Sequence, residues 1–362
     1  MMAEAKRPKA KSKEPFYAVS AVWKDVVPVP LIDGPPGQKD PGPALATIAY
    51  SPRYSEAMSY LRAVMAVNEF SRRALDLTED IIGMNPAHYT VWLYRAKILK
   101  TLWEQEGTPV EDGVMIELDW LEGISERNLK NYQIWHHRQT LMGLLAALPP
   151  TEPAFLAHML SFDAKNYHVW TYRQWLCRRF PDALLGTDAE LRAVDALIQD
   201  DVRNNSAWNH RYFVVFGADE LRAIEASPSG IRKDVLASGA LVVDLDVVER
   251  EINYAKDHIA WAPQNASPWN YLRGVLTRAA LPVTEMLVFC EGFVGGKGAD
   301  LMSGSGTVTS SHAIDWLADI YRIEGDVRRS RDCLDALAAK WDPIRRKYWE
   351  FRARQLDLEP AT

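Results

Sequence analysis

Cysteine is scarce in this chain. The three residues, Cys177, Cys290 and Cys333, lie far apart and form no CxxC pair. That excludes a disulfide scaffold and a cysteine-based zinc site, and it suits a reducing cytosol. Positive charge is not in excess either. Forty-two Lys and Arg stand against 48 Asp and Glu, a net charge of −6, which argues against a bulk nucleic-acid-binding surface. No apolar run approaches the roughly 20 residues of a membrane span. The opening MMAEAKRPKAKSKEP is charged where a signal peptide would be apolar. Strand-like alternation of convincing length is missing. So are HExxH, GxSxG, the dinucleotide glycine pattern and a P-loop; GGKG at 295–298 lacks the P-loop frame. His136 and His137 are adjacent and would point about 100° apart on a helix. No metal site is expected within the chain.

Tryptophan, by contrast, is abundant at 13 residues, and its spacing is informative. Aligning on it gives NPAHYTVWLYR (85–95), NLKNYQIWHHR (128–138), DAKNYHVWTYR (163–173) and DVRNNSAWNHR (201–211). APQNASPWNYLR (262–273) is a looser fifth copy, and DPIRRKYWEFR (342–352) keeps the outline. The anchors Trp92, Trp135, Trp170, Trp208, Trp269 and Trp349 are separated by 43, 35, 38, 61 and 80 residues. The first three intervals fit a two-helix repeat, and the last two require insertions. Asn or Asp stands seven residues before Trp at Asn85, Asn128, Asp163, Asp201 and Asp342, which predicts helix N-caps at these positions. Counted from there, Tyr falls at +4 in the first three copies (Tyr89, Tyr132 and Tyr167), Trp at +7 and Arg at +10, on one helical stripe. The Arg is placed to stack on an aromatic face or pair with an acid.

Between the motif helices run second amphipathic patterns: Phe70, Ala74, Leu77 and Ile81; Val114, Leu118, Leu121 and Ile124; Leu191, Val194, Leu197 and Ile198. The fold class is therefore all-α, an α–α superhelix or solenoid of antiparallel helical hairpins whose curvature creates a concave face. Residues 1–50 read as a Pro/Gly-rich, partly disordered arm, basic from Lys6 to Lys13, with Phe16, Tyr17 and Trp23 able to dock on the body. Residues 51–362 form the repeat domain. ASPSGIRKD (226–234) and GGKGADLMSGSG (295–306) read as inserted loops.

The recurring NYxxWxxR resembles the α-subunit repeat of protein prenyltransferases. KNYQIWHHR (130–138), DAKNYHVWTYRQW (163–175) and DVRNNSAWNHRYFV (201–214) come very close to the α subunit shared by farnesyltransferase and type I geranylgeranyltransferase. The resemblance covers about residues 50–355. It implies a cytoplasmic heterodimer in which a helical crescent wraps an obligate β subunit. That subunit holds the catalytic Zn2+ and most of the isoprenoid pocket, with Mg2+ as a further expected ion. The implied reaction transfers farnesyl or geranylgeranyl from its diphosphate to the cysteine of C-terminal CaaX proteins such as Ras-like GTPases. By the same resemblance Lys130 reaches the diphosphate, Tyr132 lines the site, and Gln133 binds the peptide carboxylate. Asn166, Tyr167 and His168 lie near the diphosphate and the interface. Lys130, Tyr132 and His168 are the catalytic candidates; Lys130, Gln133, Asn166, Tyr167 and His168 are the substrate-binding ones. A helix N-terminus suits a diphosphate, and a lysine just inside it adds charge that favours the departing group. Plainer roles are open for each: a solvated Lys130, a surface Gln133, a structural His168. Tyr132 and Tyr167 could be packing residues, since Tyr89 fills the same slot in a copy without assigned chemistry. Two other identities compete, the α subunit of Rab geranylgeranyltransferase and a non-enzymatic scaffold of the tetratricopeptide type.

Overall fold

The computed structural model describes residues 17–31, 46, 48–185, 188–225, 244–296, 300–302 and 308–357. Lys6–Lys13, Phe16, the Pro/Gly run at 33–43, the 226–234 segment and most of 295–306 lie outside them. Regular structure among the described residues is helical, without strands. The chain groups into two units, Met1–Tyr172 and Arg173–Thr362.

In the first unit run α1 (Pro52–Ala66), α2 (Arg72–Met84), α3 (Tyr89–Glu106), α4 (Val110–Arg127), α5 (Tyr132–Met142) and α6 (Glu152–Phe162). Then α7 spans Tyr167–Arg179. The second unit contains α8 (Ala189–Asp200), α9 (Asn205–Glu225), α10 (Leu245–Trp261), α11 (Ala266–Arg278), α12 (Ser311–Ile323), α13 (Val327–Ala336) and α14 (Arg346–Gln355). The motif helices are α3, α5, α7, α9, α11 and α14. Their anchor tryptophans are all buried, from 1% exposed at Trp269 to 8% at Trp170. The amphipathic partners form as their spacing predicts, except that Phe70 lies before the Ser71 cap, outside α2, and is half-covered. Ala74, Leu77 and Ile81 are buried on α2, and Val114, Leu118, Leu121 and Ile124 on α4. On α8, Val194 and Ile198 are buried while Leu191 and Leu197 are half-covered.

Capping departs from the sequence reading. The caps stand four residues before Trp: Asn131, Asn166, Asn204 and Asn265 accept from amides of the first helical turn at 2.8–3.3 Å. The Asn or Asp three residues earlier serves the turn that leads in. Asn85, Asp163 and Asp201 accept from the amide two residues on, and the cap amides of Asn131, Asn166 and Asn204 bond to the carbonyls of Asn128, Asp163 and Asp201. An Asx side chain closes such a turn as readily as it caps a helix, so spacing alone did not separate the two roles. The first copy has His88 at the cap position without a side-chain bond.

The long interval before Trp349 also differs from a simple loop insertion. It contains α12 and α13, a further hairpin. Trp316 on α12 packs on Trp269 with centroids 5.6 Å apart, and Arg273 lies over Trp316 and pairs with Asp319 at 2.8 Å. At the N-terminal end, Tyr17 and Trp23 dock as expected. Both are buried, Tyr17 donates to Asp80 at 2.8 Å, and both rings pack on Tyr60.

The motif arginines both pair and stack. Arg95 grips Glu117 with two bonds of 2.6 and 2.8 Å and lies 3.6 Å over Trp120. Arg138 does the same with Glu152 and Phe155, and Arg211 with Glu251 and Tyr254. Arg173 grips Glu190 at 2.6 and 3.0 Å. Each glutamate also takes a bond from the residue two past the following tryptophan: His137 on Glu117, Tyr172 on Glu152, His210 on Glu190 and Tyr271 on Glu251. Every clamp therefore ties one repeat to the next, two in each unit. Burying a guanidinium is tolerable because the carboxylate and the ring together replace its water.

These clamps set an acid limit. Burial alone would raise the carboxyl pKa of Glu117, Glu190 and Glu251, but bonds from histidine, arginine or tyrosine hold all three below the usual range, Glu190 at about 2. Burial pushes His137 and His210 below their ordinary value against the pull of their glutamates. In the unfolded chain these histidines protonate near 6.5 and the glutamates near 4.5. Their contribution to stability is thus full above about pH 6.5, declines as unfolded histidine takes protons, and declines again below about 4.5. Melting temperature should hold on the neutral side and fall in those two stages. A melting temperature that rises between pH 7 and 5 would contradict the clamp chemistry.

Candidate functional site

The predicted site residues come together in the first unit, at the N-terminal ends of α5 and α7. Lys130 precedes the cap Asn131, so it lies in the turn before α5 and not inside the helix. Its side chain is 80% exposed, and its ammonium stands 3.8 Å from the Asp163 carboxylate. Exposed pairs of this kind hold their partners weakly, by about 0–1 kcal/mol. Lys130 can therefore turn to another anion at little cost.

Tyr132 and Gln133 are the first two residues of α5, and Tyr167 and His168 the first two of α7. The Tyr132 and His168 rings meet edge to face at 4.3 Å, and Tyr167 meets the same imidazole at 5.6 Å. Tyr132 and Tyr167 are 67% and 66% exposed, and Tyr89, in the same slot, is 62% exposed. Core packing does not account for three tyrosines left this open. Burial lowers the His168 pKa, so the imidazole is neutral at pH 7 and carries one N–H to donate. Gln133 is half-covered beside them.

Asn166 plays a different part. Only 2% exposed, it caps α7 through its Oδ1 and donates from Nδ2 to the Leu129 carbonyl at 3.0 Å. It thereby fixes the turn that carries Lys130 relative to the helix that carries His168. The α5 amides of Gln133 and Ile134 are already bonded to Asn131. Positive character at this end thus comes from the helix dipole and from side-chain donors: the Lys130 ammonium, the tyrosine hydroxyls and the His168 N–H. Together these can stabilise an oligo-anion such as a diphosphate, and more so as its charge grows.

Two groupings of metal-ligating atoms lie within 4.8 Å among the described residues, Cys177–Glu190–His210 and Glu122–Glu126–His158. In the first, the Glu190 oxygens already hold Arg173 and His210, and burial pushes the Cys177 thiol well above its usual range. A filled ion-pair cluster with a protonated thiol does not suit zinc. The second is exposed and closed by a 2.8 Å His158–Glu126 contact.

Sequence reasoning missed the clamp glutamates and the Asp163 partner of Lys130. Three of the four clamps carried a readable signal, since Glu117, Glu152 and Glu251 are each followed three residues later by an aromatic ring.

Comparison with known proteins accords with this architecture. The family model described as "Protein prenyltransferase alpha subunit repeat" matches residues 71–102, 115–145, 149–180, 187–217 and 248–279. The protein farnesyltransferase/geranylgeranyltransferase type-1 subunit alpha of Candida albicans is 37% identical over 321 residues, 87% of this chain and 92% of that protein. The solved structure of Candida albicans protein geranylgeranyltransferase-I complexed with GGPP is similar with a TM-score of 0.74 at 36% identity, covering 92% of this chain and 97% of that one. Similarity to the geranylgeranyl transferase type-2 subunit alpha of Rattus norvegicus is more partial, at 29% identity over 62% of this chain and 37% of that protein. With buried Trp anchors, repeated Arg clamps and near full-length similarity all in agreement, the chain belongs to the protein prenyltransferase alpha-subunit repeat family.

Proposed function

We propose that this chain is the α subunit of a heterodimeric protein prenyltransferase of the farnesyltransferase/geranylgeranyltransferase type I kind. In this reading it moves a farnesyl or geranylgeranyl group from the diphosphate to the cysteine of a C-terminal CaaX sequence, and works only with a β subunit. Among the described residues no helix is long and apolar enough to cross a membrane, and we assign the complex to the cytoplasm. The observation that carries the reading is the exposed Lys130–Tyr132–Tyr167–His168 cluster within a chain so similar to type-1 α subunits along its length.

The division of labour follows from the residues. Cleaving a C–O bond to a diphosphate builds negative charge on the leaving group. Lys130 supplies a mobile cation, and the Tyr132, Tyr167 and His168 donors surround it, so their stabilisation is larger in the transition state than in the ground state. Zinc, which we place on the β subunit, would supply the thiolate form of the substrate cysteine. Mg2+ would accompany the diphosphate. Gln133 takes the peptide's C-terminal carboxylate through its amide N–H groups.

Co-expression with a β subunit, followed by prenylation of a CaaX peptide without an escort protein, tests the proposal directly. Transfer that appears only with both chains is expected; transfer that requires an escort protein would favour the Rab-type enzyme. Within that assay, Gln133→Ala should raise the KM for the CaaX peptide about tenfold, the range of one hydrogen bond to a charged group, with kcat little changed. An unaltered peptide KM would remove Gln133 from the peptide site.

A further inference from the structure

Five of the six anchor tryptophans use their indole N–H, Trp349 toward the Asp342 carboxylate at 2.9 Å and four others toward a backbone carbonyl. The indole N–H of Trp92, Trp170, Trp208 and Trp269 donates to the carbonyl six residues earlier, at 2.8, 2.9, 2.8 and 2.9 Å. In the second repeat the corresponding carbonyl belongs to Leu129, next to Lys130. There the indole Nε1 of Trp135, a residue 5% exposed, is buried without a hydrogen-bond partner among the described residues, unlike its counterparts. Steric competition does not explain the gap. Among the described residues the Leu129 carbonyl is engaged by Asn166 alone, whereas the equivalent Val202 carbonyl accepts from both Trp208 and Asn265. The same helix shows a second shortfall. Arg138 Nη1 is buried without a partner, while the matching nitrogens of Arg95 and Arg211 bond to Thr78 and Asp195. A buried donor left unpaired is costly, and it favours any rearrangement that supplies an acceptor.

We infer that Trp135 is a positioning residue for Lys130: its indole N–H takes up the Leu129 carbonyl when the Lys130 turn closes on the diphosphate. The inference rests on the reading of Lys130 as the group that meets the diphosphate. The turn has an acceptor with a lone pair to spare, a single side-chain tether at Asn166, and a lysine held by one loose ion pair. Closing it satisfies the orphaned donor and fixes the lysine where charge develops. The repeat assigned to the diphosphate is thus the one whose lead-in turn stays adjustable, while the sister turns are latched in advance.

The test uses the α/β heterodimer with geranylgeranyl diphosphate and a CaaX peptide. Trp135→Phe removes the N–H and keeps most of the ring. It should lower kcat about three- to tenfold, the factor an ordinary hydrogen bond carries, with the peptide KM unchanged. Both Phe variants lose the same ring volume, so melting of the diphosphate-free heterodimer should fall less for Trp135→Phe than for Trp92→Phe, and the rise in melting temperature on adding geranylgeranyl diphosphate should shrink. Trp92→Phe, which breaks an existing bond in a repeat without assigned chemistry, should lower melting further and spare kcat. The Lys130→Ala/Trp135→Phe double variant should be no slower than Lys130→Ala, because Trp135 acts through the lysine. A Trp135→Phe protein that melts as low as Trp92→Phe with kcat intact would overturn the inference, since the N–H would then be latched in the free enzyme. Should Lys130→Ala be slow and Trp135→Phe silent, the inference alone falls; should Lys130→Ala be silent, the assignment of Lys130 falls with it.

Discussion

Lys130→Ala is expected to lower kcat by about 10²–10³, the loss typical of removing one preorganised donor to developing negative charge. The expected pattern matters as much as the size. Lys130 is 80% exposed and held by one ion pair of 3.8 Å, so removing it should leave folding and assembly with the β subunit intact. Peptide KM should barely move, because the proposed reading gives Lys130 the diphosphate and Gln133 the CaaX carboxylate. Affinity for the isoprenoid diphosphate should fall by a smaller factor than kcat, since the charge met in the ground state is less concentrated than at bond cleavage. Lys130→Arg keeps the charge and should recover part of the rate, although a planar guanidinium does not reproduce a point charge. A variant with weaker diphosphate binding and an unchanged kcat would reduce Lys130 to a docking group and undo the catalytic assignment.

The largest stability effect is expected at Glu190. Its carboxylate accepts two bonds from Arg173 and one from His210, with the residue 4% exposed. Glu190→Ala takes from the buried Arg173 guanidinium the carboxylate that grips it twice, a loss of the kind that costs about 3–5 kcal/mol. Glu190→Gln keeps the shape and one acceptor oxygen and should cost less. The double variant Glu190→Ala/Arg173→Met, which removes the charge on both sides, should recover much of the loss, because the buried cation and not the lost pair is what destabilises. Urea unfolding of the purified protein gives the comparison. If Glu190→Ala falls within about 0.5 kcal/mol of the parent, as ordinary surface substitutions do, the clamp is not a stability element.

The repeat pattern was readable because Trp, Tyr and Arg are large, sparse and fixed in register, so one alignment exposed the motif helices, and the stripes on α2, α4 and α8 supplied partners. What escaped detection has physical reasons. Asn and Asp serve turns and caps with the same short side chain, so Asn128 and Asn131 could not be ranked by spacing; the error placed Lys130 inside a helix that starts two residues later. The α12–α13 hairpin was hidden because Trp316 has no Asn-Tyr prelude to announce it. Glutamates are common on helical surfaces, and nothing local distinguishes a buried Glu190 from an exposed Glu122 until the arginine one helix away is in place. The site residues followed from the resemblance, whereas their exposure, the ring contacts around His168 and the role of Asn166 as a brace needed coordinates.

The glutamate clamps also bear on how such a chain can be lengthened, shortened or spliced. Each carboxylate is completed by an arginine upstream and a histidine or tyrosine downstream, so the module that keeps a clamp whole begins at one motif arginine and ends just before the next, out of phase with the visible Trp motif. A graft cut at the motif boundary would strand half a clamp at both seams. One cut from Arg138 to Tyr172 would carry Arg138, Glu152 and Tyr172 together and leave the Arg95–Glu117–His137 clamp before it whole.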